Sequence, residues 1–261
     1  MLFLLYILTG AFAGTLAGLL GIGGGLVVVP ILATIFVYIG MPNENIMQFA
    51  AGTSLAVMII TSSSSVRTHV KHGNNIWPIF KQLLPGIFVG TICGASIADI
   101  LNSNTIKIIF GLMLILAAYR AFFGNTKPGG DNLPPVWVNI LVGFGIGTLS
   151  GLLGVGGGLL LAPYLFHCNI NVRLAVATAS ACGLLVSIVG TVSYMITGLN
   201  ELHPYEWTTG FIYWPAFFGI AMASPIFARI GAKLSNKLPI DKLRKLFALF
   251  MLIAAIKMLV Y

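Results

Sequence analysis

The sequence predicts an all-α polytopic membrane protein made of two inverted-topology repeats of about five membrane segments each, with helices broken at glycine-rich motifs. Three observations predict it. Apolar runs recur along the whole chain, which is 58% hydrophobic and 8% charged, against about 25% charged residues in a soluble domain. Residues 14–30, GTLAGLLGIGGGLVVVP, return as residues 147–163, GTLSGLLGVGGGLLLAP, with 12 of 17 positions identical at an offset of 133. The basic residues of the two copies fall in non-equivalent loops.

The first observation sets the class. Runs of about 18 or more apolar residues suit helices that cross a hydrocarbon core. A membrane barrel would show alternating segments of about 10 residues. The net charge of +8 sits in short loops between apolar runs. It reads as a topology signal and not as a nucleic-acid surface. Cys93, Cys168 and Cys182 lie in apolar stretches without CxxC spacing, so they read as small core residues. No metal-ligand spacing or cofactor motif is present. The opening MLFLLYILTGAFAG ends like a signal peptide, but no basic residue precedes it and it runs directly into the first glycine motif. It is read as a retained first helix.

The second observation sets the organisation, because internal repeats define architecture. The first half, 1–123, has apolar segments at 2–20, 26–39, 46–67, 78–100 and 105–123. A polar linker rich in glycine and proline, GNTKPGGDNLPP at 124–135, follows. The second half, 136–261, has segments at 136–153, 159–170, 172–197, 208–230 and 240–260. The correspondence extends to Ala50/Ala175, Thr53/Thr178, Ser62/Ser187 and Gly73/Gly198, and to Phe110/Phe247 and Ala117/Ala254.

The third observation sets orientation. Arg67, Lys71 and Lys81 mark the junction of the third and fourth segments, whereas its counterpart carries Glu201 and Glu206. The junction of the fourth and fifth segments has only Lys107, whereas its counterpart has Arg229, Lys233, Lys237, Lys242, Arg244 and Lys245. Equivalent loops with opposite bias lie on opposite sides of a membrane, so each repeat crosses an odd number of times. This predicts a multi-pass protein of the cytoplasmic (inner) membrane with both termini outside. The segment 159–170 would be roughly 18 Å long as a helix, short for a full crossing. The first two segments of each repeat are therefore either two spans or a broken, re-entrant pair.

The candidate site lies at the glycine runs Gly21, Gly23, Gly24, Gly25 and Gly154, Gly156, Gly157, Gly158. Non-helical backbone at membrane depth is tolerated only inside protein or beside a water-filled cavity. The helix that follows each run points free N–H groups and a positive dipole end at the break, which suits an anion. Pro30 and Pro163 follow in the first turns, where they would distort or shorten the short helix. The alternative is close helix packing, the expected role of the GxxxGxxxG faces Gly10/Gly14/Gly18 and Gly86/Gly90/Gly94. The glycine runs lack the Lys-Ser/Thr of a nucleotide loop. Thr53, Ser54, Thr178 and Ser180 are candidate donors to an anion, or else bond back to their own helices. The run Thr61–Ser65 either lines a polar path or meets the inner interface. No deep acid or histidine relay identifies a coupling ion, proton or sodium.

GLLGIGGGLVVVP and GLLGVGGGLLLAP, with the A-x-x-T segments that follow them, resemble the signature of the sulfite exporter TauE/SafE family, also called the toluene-sulfonate uptake permease group. The resemblance spans essentially the full chain. It implies a membrane transporter of sulfite, thiosulfate, sulfoacetate or another small organosulfur anion. It places the family motif on Gly21, Gly23, Gly24, Gly25 and Pro30, and on Gly154, Gly156, Gly157, Gly158 and Pro163. The expected function is thus secondary transport of a small sulfur-containing anion by alternating access, with no enzymatic activity and no cofactor. A passive anion channel, or a carrier of a different small anion, is the alternative. The expected partners are the anion and the bilayer, with no nucleic acid; a homo-oligomer could use the GxxxG faces.

Overall fold

The computed structural model describes residues 2–20, 24–71, 76–123, 133–200, 206–235 and 240–260. Among them are ten α-helices: α1 (Leu2–Leu20), α2 (Gly25–Tyr38), α3 (Ile46–Lys71), α4 (Trp77–Ile100), α5 (Ser103–Phe123), α6 (Val136–Leu153), α7 (Gly158–His167), α8 (Val172–Thr197), α9 (Trp214–Ser235) and α10 (Ile240–Val260). The protein is a multi-pass, predominantly helical membrane protein. Among the described residues, five helices, α3, α4, α5, α6 and α8, contain stretches long and apolar enough to cross a bilayer. α2 has 14 residues and α7 has 10, about 21 and 15 Å of helix, so neither spans an approximately 30 Å core.

One expected segment is different. Residues 208–213 do not begin a helix. They form a small antiparallel hairpin, β1 (Thr208–Thr209) against β2 (Ile212–Tyr213), turning at Gly210 with φ +53°. Two adjacent threonines and a glycine in the left-handed region favour that turn over a first helical turn. α9 starts only at Trp214, with Pro215 just inside its first turn, where a missing N–H is harmless. The prolines after the glycine runs do not end their helices. Pro30 and Pro163 sit in the second turn of α2 and α7, and both helices continue past them.

Burial separates a centre from a perimeter. The spans of α3 and α8 are 78% and 67% buried, whereas those of α4, α6 and α5 are 44%, 44% and 39%. α2 adds a buried face from Gly25 to Pro30 and on to Phe36. Many exposed positions of the outer helices are apolar, among them Leu4, Leu8 and Phe12 on α1 and Leu112 and Leu116 on α5. That is the surface a hydrocarbon solvent requires.

The outer helices grip one another through glycine. A Cβ on Gly86, Gly90 or Gly94 of α4 would run into the backbone of Ile140, Phe144 or Thr148 on α6. Gly143, Gly147 and Gly151 of α6 face Leu83, Ile87 and Thr91 of α4 in return. α1 and α9 repeat the arrangement, with Gly10 against Ile220 and Gly14 against Ser224. Gly86, Gly90 and Gly94, and Gly10 and Gly14 of the other expected face, thus pack inside the chain, and the helices of each pair run parallel. The pairing crosses between halves: the first helix of each half packs on the fourth helix of the other. α3 packs on α8 and α5 on α10. α3 and α8 run antiparallel, since Leu55 meets Gly190 while Ser65 meets Ser180.

Candidate functional site

The second glycine motif ends one helix and starts another. α6 terminates at Gly154, φ +68°, whose N–H returns to the Ser150 carbonyl, as does that of Val155 (3.1 Å). This left-handed ending suits glycine, and a Cβ there would also strike the backbone of Ala51. The carbonyls of Gly151 and Leu152 are left over from the last turn. Both accept from the Tyr194 hydroxyl, at 3.0 Å each. The end of α6 is therefore capped from α8. Beyond it, α7 starts at Gly157–Gly158 without a side-chain cap, and α2 starts at Gly24–Gly25 in the same way.

The two breaks meet. A Cβ on Gly25 would lie 3.0 Å from the Gly154 carbonyl oxygen, 3.2 Å from Ser54 Oγ and 2.5 Å from Met58 Sδ. A Cβ on Gly156 would collide with Met58 Cε. Ser54, fully buried, donates to the Gly154 carbonyl at 2.9 Å. Ser54 and Met58 of α3 thus stand against both motifs, one helical turn apart. Gly24 and Gly157 have more room, with nearest neighbours 3.8 Å from a Cβ. Gly21 and Gly23 lie outside the described residues.

The hydroxyls divide into three roles. Thr53 Oγ1 accepts from the Tyr213 N–H (3.1 Å) and so anchors the hairpin. Its sequence counterpart Thr178 is fully buried with no hydrogen-bond partner, as is Ser150 Oγ just before the break. Ser180 donates to its own helix at Val176 (2.9 Å) and accepts from Ser65 (3.0 Å). Thr53 and Ser180 are thus bonded to partners outside the glycine runs. Gly158 and Pro163 are half-buried on α7, while Pro30 is buried on α2.

Sequence reasoning did not find two of the residues that shape this region. Met58 reads as one more apolar residue of a membrane helix. Its signal is the repeat itself, since an offset of 125 pairs Met58 with Gly183 where Thr53 pairs with Thr178. Phe211 is the other. It is 1% exposed, packs edge-to-face on Phe49 and Tyr194, and sets its backbone against Gly52. The hairpin thus closes the seam between α3 and α8 at one end. Towards the other end the seam carries Ser62, Ser65 and Ser180; a Cβ on Gly183 would lie 3.8 Å from Ser62 Oγ.

The family model for the sulfite exporter TauE/SafE matches residues 6–258. The chain belongs to the TauE/SafE family. It is 37% identical to a "Probable membrane transporter protein" of Haemophilus influenzae, covering 98% of this chain and 97% of that one. It is 33% identical to a protein of the same description from Methanocaldococcus jannaschii, covering 92% and 89%. A third relative, from Bacillus subtilis, is 29% identical over 91% and 90%. As a TauE/SafE member the chain is a membrane transporter, which agrees with the signature read from its glycine motifs. Among the described residues no group of three or more His, Cys, Asp or Glu could hold a metal.

Proposed function

We propose that this protein is a secondary transporter that carries a small sulfur-containing anion across the cytoplasmic membrane by alternating access. Sulfite, thiosulfate, sulfoacetate and related organosulfonates are the substrate class. The observation that carries the reading is the convergence of the two helix breaks on Ser54 and Met58. Two uncapped helix N-termini near one point offer N–H groups and positive dipole ends to an anion. The buried hydroxyls of Thr178 and Ser150, which lack partners, are further donors. An unpaired buried hydroxyl is unfavourable by about 1–3 kcal/mol, and a bound oxyanion would relieve it. Of the sequence candidates, Gly24, Gly25, Gly156, Gly157, Ser54 and Thr178 form the core of this reading. Thr53 and Ser180 are assigned supporting roles.

The chain is read as two inverted repeats, 1–123 and 136–261, joined by 124–135, with both termini on the outer side. The antiparallel run of the equivalent helices α3 and α8 supports inversion, and so does the exchange pattern of α1 with α9 and α4 with α6. That exchange also bears on the motion. The glycine-locked pairs join helices of different halves, so the bodies that rock are composite and not the repeats themselves. Met58 filling the space between the breaks favours a gated carrier over a continuous pore.

The test is flux into liposomes of the purified protein, with sulfite, thiosulfate and sulfoacetate as substrates. Saturable uptake that one anion competes from another supports the proposal. No saturable flux of any of them, from protein that is folded in the liposome, would sink it.

A further inference from the structure

The geometry points to Met58 as the gate of the glycine junction and the residue that sets the size of anion admitted there. This rests on the transport reading above. Met58 is 1% exposed, yet its neighbours are not an ordinary apolar core. Its Sδ lies 2.5 Å from where a Cβ of Gly25 would be, and its Cε would collide with a Cβ on Gly156. One side chain thus plugs both motifs at once. One turn before it stands Ser54, bonded to the Gly154 carbonyl, and one turn after it stands buried Ser62. Ser65 continues the same face and bonds Ser180. Met58 is the apolar interruption in a line of hydroxyls along the α3–α8 seam. The far end of that seam is closed by Phe211 and the hairpin, so the hydroxyl-lined side is the approach that Met58 guards.

Methionine suits a gate that must open. It is unbranched, has three rotatable bonds, and can leave a gap without backbone movement. Its position is also where the two halves differ. The repeat-related residue on α8 is Gly183, which leaves a notch beside Gly157, 3.8 Å from a Gly183 Cβ. The plug therefore belongs to one half and the open notch to the other.

The experiment compares initial rates of sulfite and benzenesulfonate uptake in liposomes for the parent, Met58→Ala and Met58→Leu, each with its melting temperature. Met58→Ala is expected to raise the benzenesulfonate-to-sulfite ratio about tenfold or more, the scale on which a pocket discriminates by size. Met58→Leu, similar in volume but branched, is expected to keep the parent ratio while turning over more slowly. If Met58→Ala does not fold, Met58→Val, shorter than methionine but filling more of the site than alanine, carries the same ratio test. Sulfite uptake by the parent with an unchanged ratio in a folded small-residue variant overturns the gate and leaves the transport reading standing. Absence of saturable uptake of any small sulfur anion by the folded parent overturns that reading, and the gate with it.

Discussion

The glycine-locked pair α4–α6 makes a quantitative prediction through two alanine substitutions. At Gly90 a new Cβ would collide with the Phe144 carbonyl oxygen and stand 3.0 Å from its C and Cα atoms. Carbon pairs prefer about 3.5–4.0 Å, so the two helices must part or bend. Overpacking usually destabilises by about 1–3 kcal/mol. The obstacle here is backbone and cannot rotate away, which places the penalty near 3 kcal/mol on that scale. Alanine also favours helix over glycine by about 1 kcal/mol, leaving a net loss of about 2 kcal/mol. At Gly145, on the exposed face of the same α6, nothing lies within 4 Å of a Cβ. There only the helical preference acts, a gain of up to about 1 kcal/mol. At about 2–4 °C per kcal/mol for a chain of this size, Gly90→Ala lowers the melting temperature by about 4–8 °C and Gly145→Ala leaves it level or raises it by about 2–4 °C. Thermal unfolding of the detergent-solubilised protein, read by the monodisperse fraction on size exclusion, measures both. Equal shifts for the two variants, or a more stable Gly90→Ala, would refute the argument that backbone contact fixes the pair.

Other consequences concern the junction. Tyr194→Phe leaves the Gly151 and Leu152 carbonyls without the hydroxyl they share, so stability should fall by about 1–3 kcal/mol, seen as a lower melting temperature. Gly24→Ala and Gly157→Ala fit sterically and should leave melting unchanged within a few degrees while weakening anion uptake, visible as a raised KM. Thr178→Val removes a buried hydroxyl that has no partner, so it should be neutral or stabilising on melting; a raised KM for uptake would identify the hydroxyl as an anion donor. Phe211→Ala opens a cavity among Phe49, Tyr194 and Gly52 and should destabilise by about 3–5 kcal/mol, measured in the same melting assay.

Periodic features of the chain were legible in the sequence, and particular contacts were not. Glycines four apart on a helix can only be a smooth face, so Gly86, Gly90 and Gly94 were readable as packing positions. Their partner was not, because a smooth face accepts any helix that offers its carbonyls. The crossed pairing of α1 with α9 and α4 with α6 therefore needed the structure. The glycine runs announced the breaks, since consecutive glycines disfavour helix whatever surrounds them. Met58 could not announce itself: its role comes from the two glycines that α2 and α7 bring to it from about 30 residues before and about 100 after. The hairpin at 208–213 was lost for a related reason. Phe211, Ile212 and Tyr213 are apolar enough to continue a membrane segment, and only Gly210 marks the turn.

The differences between the halves bear on function more than their likeness does. Two identical halves around one site would face both sides of a membrane alike, and neither face would be distinguished. Here three departures from symmetry fall on the central seam. Thr53 holds the Tyr213 N–H, whereas Thr178 is buried without a partner. Met58 stands opposite the glycine of its repeat mate, Gly183. Hydroxyls from Ser62, Ser65 and Ser180 line one end of α3–α8, whereas Phe211 and its hairpin fill the other. The hairpin end of the seam carries the packed aromatic contacts of Phe211, and the opposite end carries the Ser65–Ser180 hydroxyl pair. If the protein works as the proposed alternating-access carrier, one exit is closed by a packed hairpin, whose opening must disrupt buried aromatic contacts, and one by a single flexible side chain. On the transport reading proposed above, the barrier to opening is lower on the Met58 side, and the anion's first access to the junction is along the Ser62–Ser65 side of the seam.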